Sequence, residues 1–165
     1  MAVYKAVLRV TGISLDIKWV NDLYYHDRKV CGILTEAVTD FESGEIDFAV
    51  VGIGLNLYEA AEGYPSELKG IAGALYKDRE AAAELDRNRL AAEIINFLLE
   101  ETRELRLPPE YIQQNLVPGR EVRIVDGQEI REAKALEICP DGRLRVQEAD
   151  GSFSVLSYGE ISLII

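Results

Sequence analysis

Apolar positions near the start of the chain fall three and four apart (Val3, Val7, Leu8), and Gly12 follows. That spacing predicts a helix from Ala2 to Val10, stopped by the glycine. A short strand is expected from Ile17 to Val20, then a polar loop from Asn21 to Arg28. Lys29 to Thr39 is rich in β-branched and apolar residues and reads as a longer strand. The stretch "DFESGE" supplies a turn, and "IDFAVVGIGLNL", Ile46 to Leu57, reads as the return strand of a hairpin. Both strands are apolar at nearly every central position, which predicts a sheet covered on both faces by helices.

Farther along, Pro65 opens an expected helix running to about Tyr76, with proline in the first turn and a carboxylate near its positive end. Leu85 to Leu105 gives the strongest helical pattern, with Leu90, Ile94, Phe97, Leu98 and Leu105 on one face. Pro108-Pro109 stops it, and a short helix from Pro109 to Asn115 follows. After "LVPG" (Leu116 to Gly119) the texture changes to short alternating runs punctuated by Asp126-Gly127, Asp141-Gly142 and Asp150-Gly151. Asp-Gly between strands is a hairpin signal, and about five strands are expected there, forming a small β-barrel. The predicted division is therefore 1–116 and 117–165, in an α+β fold.

Composition narrows the function. The chain has 165 residues, 48% hydrophobic and 28% charged, enough to bury a core without disulfides or metals. Its net charge of −11 argues against sequence-independent nucleic-acid binding and against docking on anionic membranes. Cys31 and Cys139 read as two free thiols, and with His26 as the only histidine no zinc cluster or nucleophilic triad can be assembled. The opening "MAVYKAVLRVTG" is too short and charged for a signal peptide. No run approaches the roughly 18 apolar residues of a spanning helix, so a cytoplasmic location is expected.

Two segments carry candidate chemistry. In "IKWVNDLYYHDRKVCGILTE", Lys29 opens an apolar strand, and a cation there stabilises a carboxylate or phosphate better than it would in bulk water. Asp22 could sit across from it, and Asn21 adds donors and an acceptor; the alternative is a solvated turn with capping side chains. In "VGIGLN", two glycines within a strand mark either a bulge or the close approach of a ligand, and Asn56 ends the run. The spacing is not that of a dinucleotide or P-loop motif.

Together, "KWVNDLYYHDRKVCGILTE" and "VVGIGLNL" resemble the catalytic core of biotin protein ligases, with Val20 in place of that family's loop proline. The resemblance extends through the helical stretch to "GEISLI". It implies a class II synthetase-like mixed or antiparallel sheet covered by helices, followed by an SH3-like barrel. It also implies formation of biotinyl-5′-AMP from biotin and ATP with Mg²⁺, then transfer of biotin to a lysine of a carboxyl carrier domain. On that resemblance Lys29 and Asp22 are the catalytic pair. Lys18, Trp19, Asn21, Arg28, Gly32, Gly52, Gly54 and Asn56 line the substrate and nucleotide sites. The family's basic glycine-rich loop has no counterpart here, so a truncated or split ligase is expected, as a homodimer or with a complementing chain. Two alternatives stand beside this one: a non-catalytic assembly module, and a lipoate-type acyltransferase.

Overall fold

The computed structural model describes residues 1–163 apart from Phe41, Glu104, Leu105, Gly127, Gln128, Tyr158 and Gly159. In chain order the elements are α1 (Ala2–Thr11), β1 (Asp16–Lys18), β2 (Asp22–Tyr25), β3 (Arg28–Thr39), β4 (Ile46–Leu55), α2 (Arg87–Glu101), α3 (Pro109–Gln113), β5 (Glu121–Asp126), β6 (Glu129–Ile138), β7 (Leu144–Glu148), β8 (Phe153–Leu156) and β9 (Glu160–Leu163). They fall into two compact units, one of residues 1–20 with 86–165 and one of residues 21–85.

In the first unit α1 ends as expected. Gly12 adopts φ +74° and returns its N–H to the Leu8 carbonyl at 2.9 Å, a conformation that costs a side-chain-bearing residue more. Val3, Ala6 and Val7 of α1 are buried, as are Leu90 and Phe97 of α2. Two ion pairs join the helices: Lys5 to Glu101 at 2.6 Å and Arg9 to Glu93 at 3.0 Å. The Asp86 carboxylate caps α2 by accepting from the Arg89 N–H. Leu105, expected on the apolar face of that helix, lies outside the described residues.

The same unit holds an antiparallel five-stranded sheet in the order β8-β7-β6-β5-β9. Its inward positions alternate as a half-buried sheet requires: Val122 and Ile124, Ala133 and Ala135, Leu144 and Val146 are all buried. Gly142 and Gly151 sit at φ +85° in two of the Asp-Gly turns, while Gly127 of the third lies outside the described residues. The stretch before this sheet is tied to β1. Ile17 N–H donates to the Gln114 carbonyl and Leu116 N–H to the Ile17 carbonyl, at 2.9 and 2.8 Å.

The second unit is built on β2, β3 and β4, paired antiparallel in that order. Three expectations are corrected here. The polar loop 21–28 is instead a strand, β2, closed by a two-residue turn in which His26 and Asp27 take φ +49° and +59°. Both residues therefore occupy the left-handed region that tight hairpin turns require. The helix expected from Pro65 to Tyr76 is a single 3₁₀ turn, Ser66–Leu68. Gly70 then turns the chain at φ +85°, and the following residues run extended beside β3. Nor is the hairpin covered on both faces: Leu34, Ile46, Phe48 and Val50 are between 56% and 66% exposed. Apolar composition reports an affinity for burial, and among the described residues no element of this unit covers these side chains.

Candidate active site

The site grows from the antiparallel register of the second unit. Asp22 of β2 lies opposite Gly32 of β3, and Gly32 lies opposite Gly54 of β4. Directly opposed residues share a sheet face, so one row across three strands offers a carboxylate and then two positions without side chains. Gly52, opposite Leu34, extends the bare area along β4. An added Cβ would lie 3.7 Å from the Leu34 carbonyl at Gly52 and 3.9 Å from the Gly32 carbonyl at Gly54. These are ordinary contacts, so the glycines leave open space above the sheet rather than relieving a clash.

Lys29 fills part of that space. Its Nζ lies 2.7 Å from Asp22 Oδ1, and a Cβ at Gly32 would stand 3.2 Å from Lys29 Cε, 3.3 Å from Nζ and 3.6 Å from the Asp22 oxygen. The ammonium thus reaches back over Gly32 to the carboxylate. Both side chains keep partial contact with solvent, where such a pair contributes roughly 0–1 kcal/mol. An arriving carboxylate or phosphate can therefore compete for the ammonium at little cost.

The backbone of Lys29 is clamped from the other side of β3. Its N–H donates to the Ile71 carbonyl at 2.8 Å, and its carbonyl accepts the Gly73 N–H at 2.9 Å. Asn56 fixes the same loop, with its Nδ2 donating to the Gly73 carbonyl at 2.9 Å and its N–H to the Val30 carbonyl at 2.8 Å. Gly73 was not singled out from sequence, yet its role is steric: a Cβ there would meet Arg28 Cβ at 2.7 Å. The only prior signal was a glycine within an expected helix. Arg28 itself is exposed and pairs with Glu59 at 3.6 Å. The Asn21 amide is bonded to the Ile33 carbonyl, and the Asn21 carbonyl accepts the Ile33 N–H at 3.1 Å.

Asp22, Lys29, Gly32, Gly52 and Gly54 are thus gathered on one face, with Asn56 and Asn21 bonded to backbone around it. Lys18 and Trp19 belong to the other unit. Lys18 lies on β1, and Trp19 is buried with its indole Nε1 donating to the Gly142 carbonyl at 2.8 Å. Cys31, next to Gly32, is also buried. Loss of water and the nearby Asp22 charge outweigh Lys29 and push its thiol up to about 12, so it stays protonated and inert. Among the described residues no three His, Cys, Asp or Glu side chains gather to hold a metal ion. With Asp22 already on the Lys29 ammonium, the donor set does not fit a resident magnesium.

Comparison with known proteins gives this geometry a family. Residues 1–56 match the Biotin/lipoate A/B protein ligase family, and residues 118–164 match the Biotin protein ligase C terminal domain. The bifunctional ligase/repressor BirA of Escherichia coli is 32% identical over 171 residues, 95% of this chain and 49% of that protein. The BirA of Bacillus subtilis is 36% identical over 87 residues, 53% of this chain and 26% of its own length. The matches thus span about half the length of the E. coli protein and about a quarter of the B. subtilis one. The apo biotin protein ligase of Aquifex aeolicus shares the fold at a TM-score of 0.74 and 22% identity, over 99% of this chain and 71% of that one. The same ligase in complex with biotin and ATP gives 0.73, with 67% of that chain covered. Matched by family models at both its ends and along 95% of its length by a relative 32% identical, the chain is a member of the biotin protein ligase family.

Proposed function

We propose that this chain carries the lysine-bearing part of a biotin-activating site and takes part in ATP-dependent biotinylation of a carrier protein. The observation that carries this reading is the Lys29–Asp22 pair at 2.7 Å, set over a floor of Gly32, Gly52 and Gly54. In the first step a biotin carboxylate oxygen attacks the α-phosphorus of ATP. The bond to the β-phosphate oxygen breaks, releasing pyrophosphate and leaving biotinyl-5′-AMP. Two anions must approach each other, and Lys29 offsets their repulsion by leaving Asp22 to lie between them. Magnesium would arrive on the nucleotide phosphates. In the second step an acceptor lysine of a carboxyl carrier domain attacks the acyl carbon. AMP departs, and Asp22, freed of its ion pair, takes the proton from the attacking amine. Gly32, Gly52 and Gly54 let the flat ligand lie against the backbone, while Asn56 and Arg28 shape the loop beside it. Residues 117–165 are the small C-terminal domain of this cytoplasmic enzyme, which works as a dimer or with a complementing chain.

Calorimetric titration with a non-hydrolysable biotinyl-adenylate analogue, beside Lys29→Ala, tests the reading. Micromolar or tighter binding that is lost in the variant supports it. No heat from a folded sample overturns it in favour of a non-catalytic assembly module. A lipoyl-adenylate analogue binding in preference to the biotinyl one would make the chain a lipoate-type transferase.

A further inference from the structure

The residue just ahead of Asn21 and Asp22 has little hold on the fold through its side chain, since Val20 is 40% exposed. Its backbone is pinned instead. The Tyr111 hydroxyl of α3 donates to the Val20 carbonyl at 2.8 Å. Tyr111 is itself buried, and loss of water pushes its hydroxyl up to about 12, so the group keeps its proton and stays a donor at any ordinary pH. Both residues belong to the first unit, and the peptide whose oxygen Tyr111 holds is the one that runs on into Asn21. A buried phenol needs a partner wherever it lies. What singles this one out is the partner, the last carbonyl before the Asn21–Asp22 pair.

A peptide is planar, so a bond to its oxygen helps fix the whole plane. Tyr111 holds the Val20–Asn21 plane, and the Ile33 N–H holds the next one through the Asn21 carbonyl at 3.1 Å. With two successive planes held, φ and ψ of Asn21 keep little freedom, and Asp22 is delivered opposite Gly32. There its carboxylate meets Lys29 Nζ at 2.7 Å. We propose that Tyr111 is a positioning residue for Asp22, acting through the Val20–Asn21 peptide. Without the hydroxyl that peptide turns more freely, and the carboxylate no longer lies where it keeps the Lys29 ammonium over Gly32. The consequence for substrate rests on the ligase reading above, whereas the placing of Asp22 does not.

The test therefore has two readouts. The first needs no ligand: the NMR resonance of the Asp22 side-chain carboxyl carbon, assigned by its loss in Asp22→Asn. It should move in Tyr111→Phe, while that of Asp40, bonded within its own turn, stays in place. A para-aminophenylalanine at position 111 restores a donor and should return the resonance. In the second readout, calorimetric affinity for the biotinyl-adenylate analogue should fall roughly tenfold in Tyr111→Phe, the scale of one lost contact to a charged group. The same change made in Asp22→Asn should cost much less, because the residue it acts through is already gone. If Tyr111→Phe does not fold, para-fluorophenylalanine, which fills the hydroxyl's volume without donating, takes its place. An unmoved Asp22 resonance in a folded variant overturns the proposal. So does an equal loss of affinity with and without the Asp22 carboxylate, which would leave Tyr111 a structural residue alone. A wild-type chain that binds no analogue fails the ligase reading, and the resonance then decides the role of Tyr111 by itself.

Discussion

Replacing Gly73 by alanine probes the clamp on Lys29. The new Cβ would lie 2.7 Å from Arg28 Cβ and 3.2 Å from Arg28 Cδ. Carbon atoms in contact prefer about 3.5–4.0 Å, so roughly 1 Å must be found. Neither Cβ is the tip of a flexible side chain; each moves only with its backbone. Yet Gly73 is held by its N–H on the Lys29 carbonyl and its carbonyl on Asn56 Nδ2, both at 2.9 Å. Relief of the clash therefore strains or breaks one of them. Overpacking of this kind costs roughly 1–3 kcal/mol and a lost hydrogen bond about 1 more. For a chain of this size a loss of about 2–4 kcal/mol lowers the melting temperature by roughly 4–16 °C. Chemical denaturation and calorimetry measure it, and adenylate-analogue binding should weaken alongside because Lys29 moves with the loop. A double-mutant cycle identifies the cause. Arg28→Gly removes the opposing Cβ and should recover much of the loss, whereas Arg28→Ala retains that atom and should recover little. A Gly73→Ala change within about 0.5 kcal/mol of wild type, or equal rescue by Arg28→Ala, would refute the reasoning.

Gly32→Ala should behave differently, because its Cβ meets the mobile end of Lys29 at 3.2–3.3 Å. Stability should fall by less than about 1 kcal/mol, while adenylate-analogue affinity drops as the ammonium shifts off Asp22, a split seen by pairing thermal melts with calorimetry. Trp19→Phe removes the indole donor from the buried contact with Gly142 and should cost about 1–2 kcal/mol in denaturant titration. Adenylate binding that fell tenfold at unchanged stability would instead make Trp19 a ligand contact. For Cys31 the folded pKa of about 12 lies above the ordinary 9.0. Between those values the unfolded thiol has lost its proton and the folded one has kept it, so stability is intact below pH 9 and falls as pH rises toward 12. Thiol reagents at pH 8 should accordingly label Cys139, which is less buried, before Cys31; the reverse order would be inconsistent with that burial.

The hairpin was legible in sequence because its signals are local: two β-branched runs and a glycine turn place β3 and β4 within two residues of their observed ends. The C-terminal strands were legible for the same reason, through their Asp-Gly turns. What failed was set by distant partners. Ser66 to Tyr76 had a helical start, yet the loop beyond Gly70 gains backbone bonds to Lys29 and to Asn56, which no local pattern reports. Residues 21–28 looked like a loop because Asn, Asp, His and Arg are polar. β2 forms anyway, since Leu23 is buried and its backbone pairs with Cys31. At the site, the lysine, the carboxylate and the glycine floor were readable as residue types. Gly73 was not, because its importance lies in the approach of Arg28 from another part of the chain.

The expectation of a sheet covered on both faces fails in an instructive way. The inference from apolar content to burial is sound in free energy: a fully buried Leu, Ile, Val or Phe side chain stabilises by about 1.5–3 kcal/mol. Four such residues on the hairpin stand more than half exposed, so several kcal/mol remain available to whatever covers them. The two ends of β3 thus differ in kind. Near Lys29 the strand is bonded on both sides, to β2 and to the loop at Ile71–Gly73, and its side chains are placed by contacts within the unit. Toward Thr39 the same strand is apolar without cover, and β4 beside it keeps outward amides.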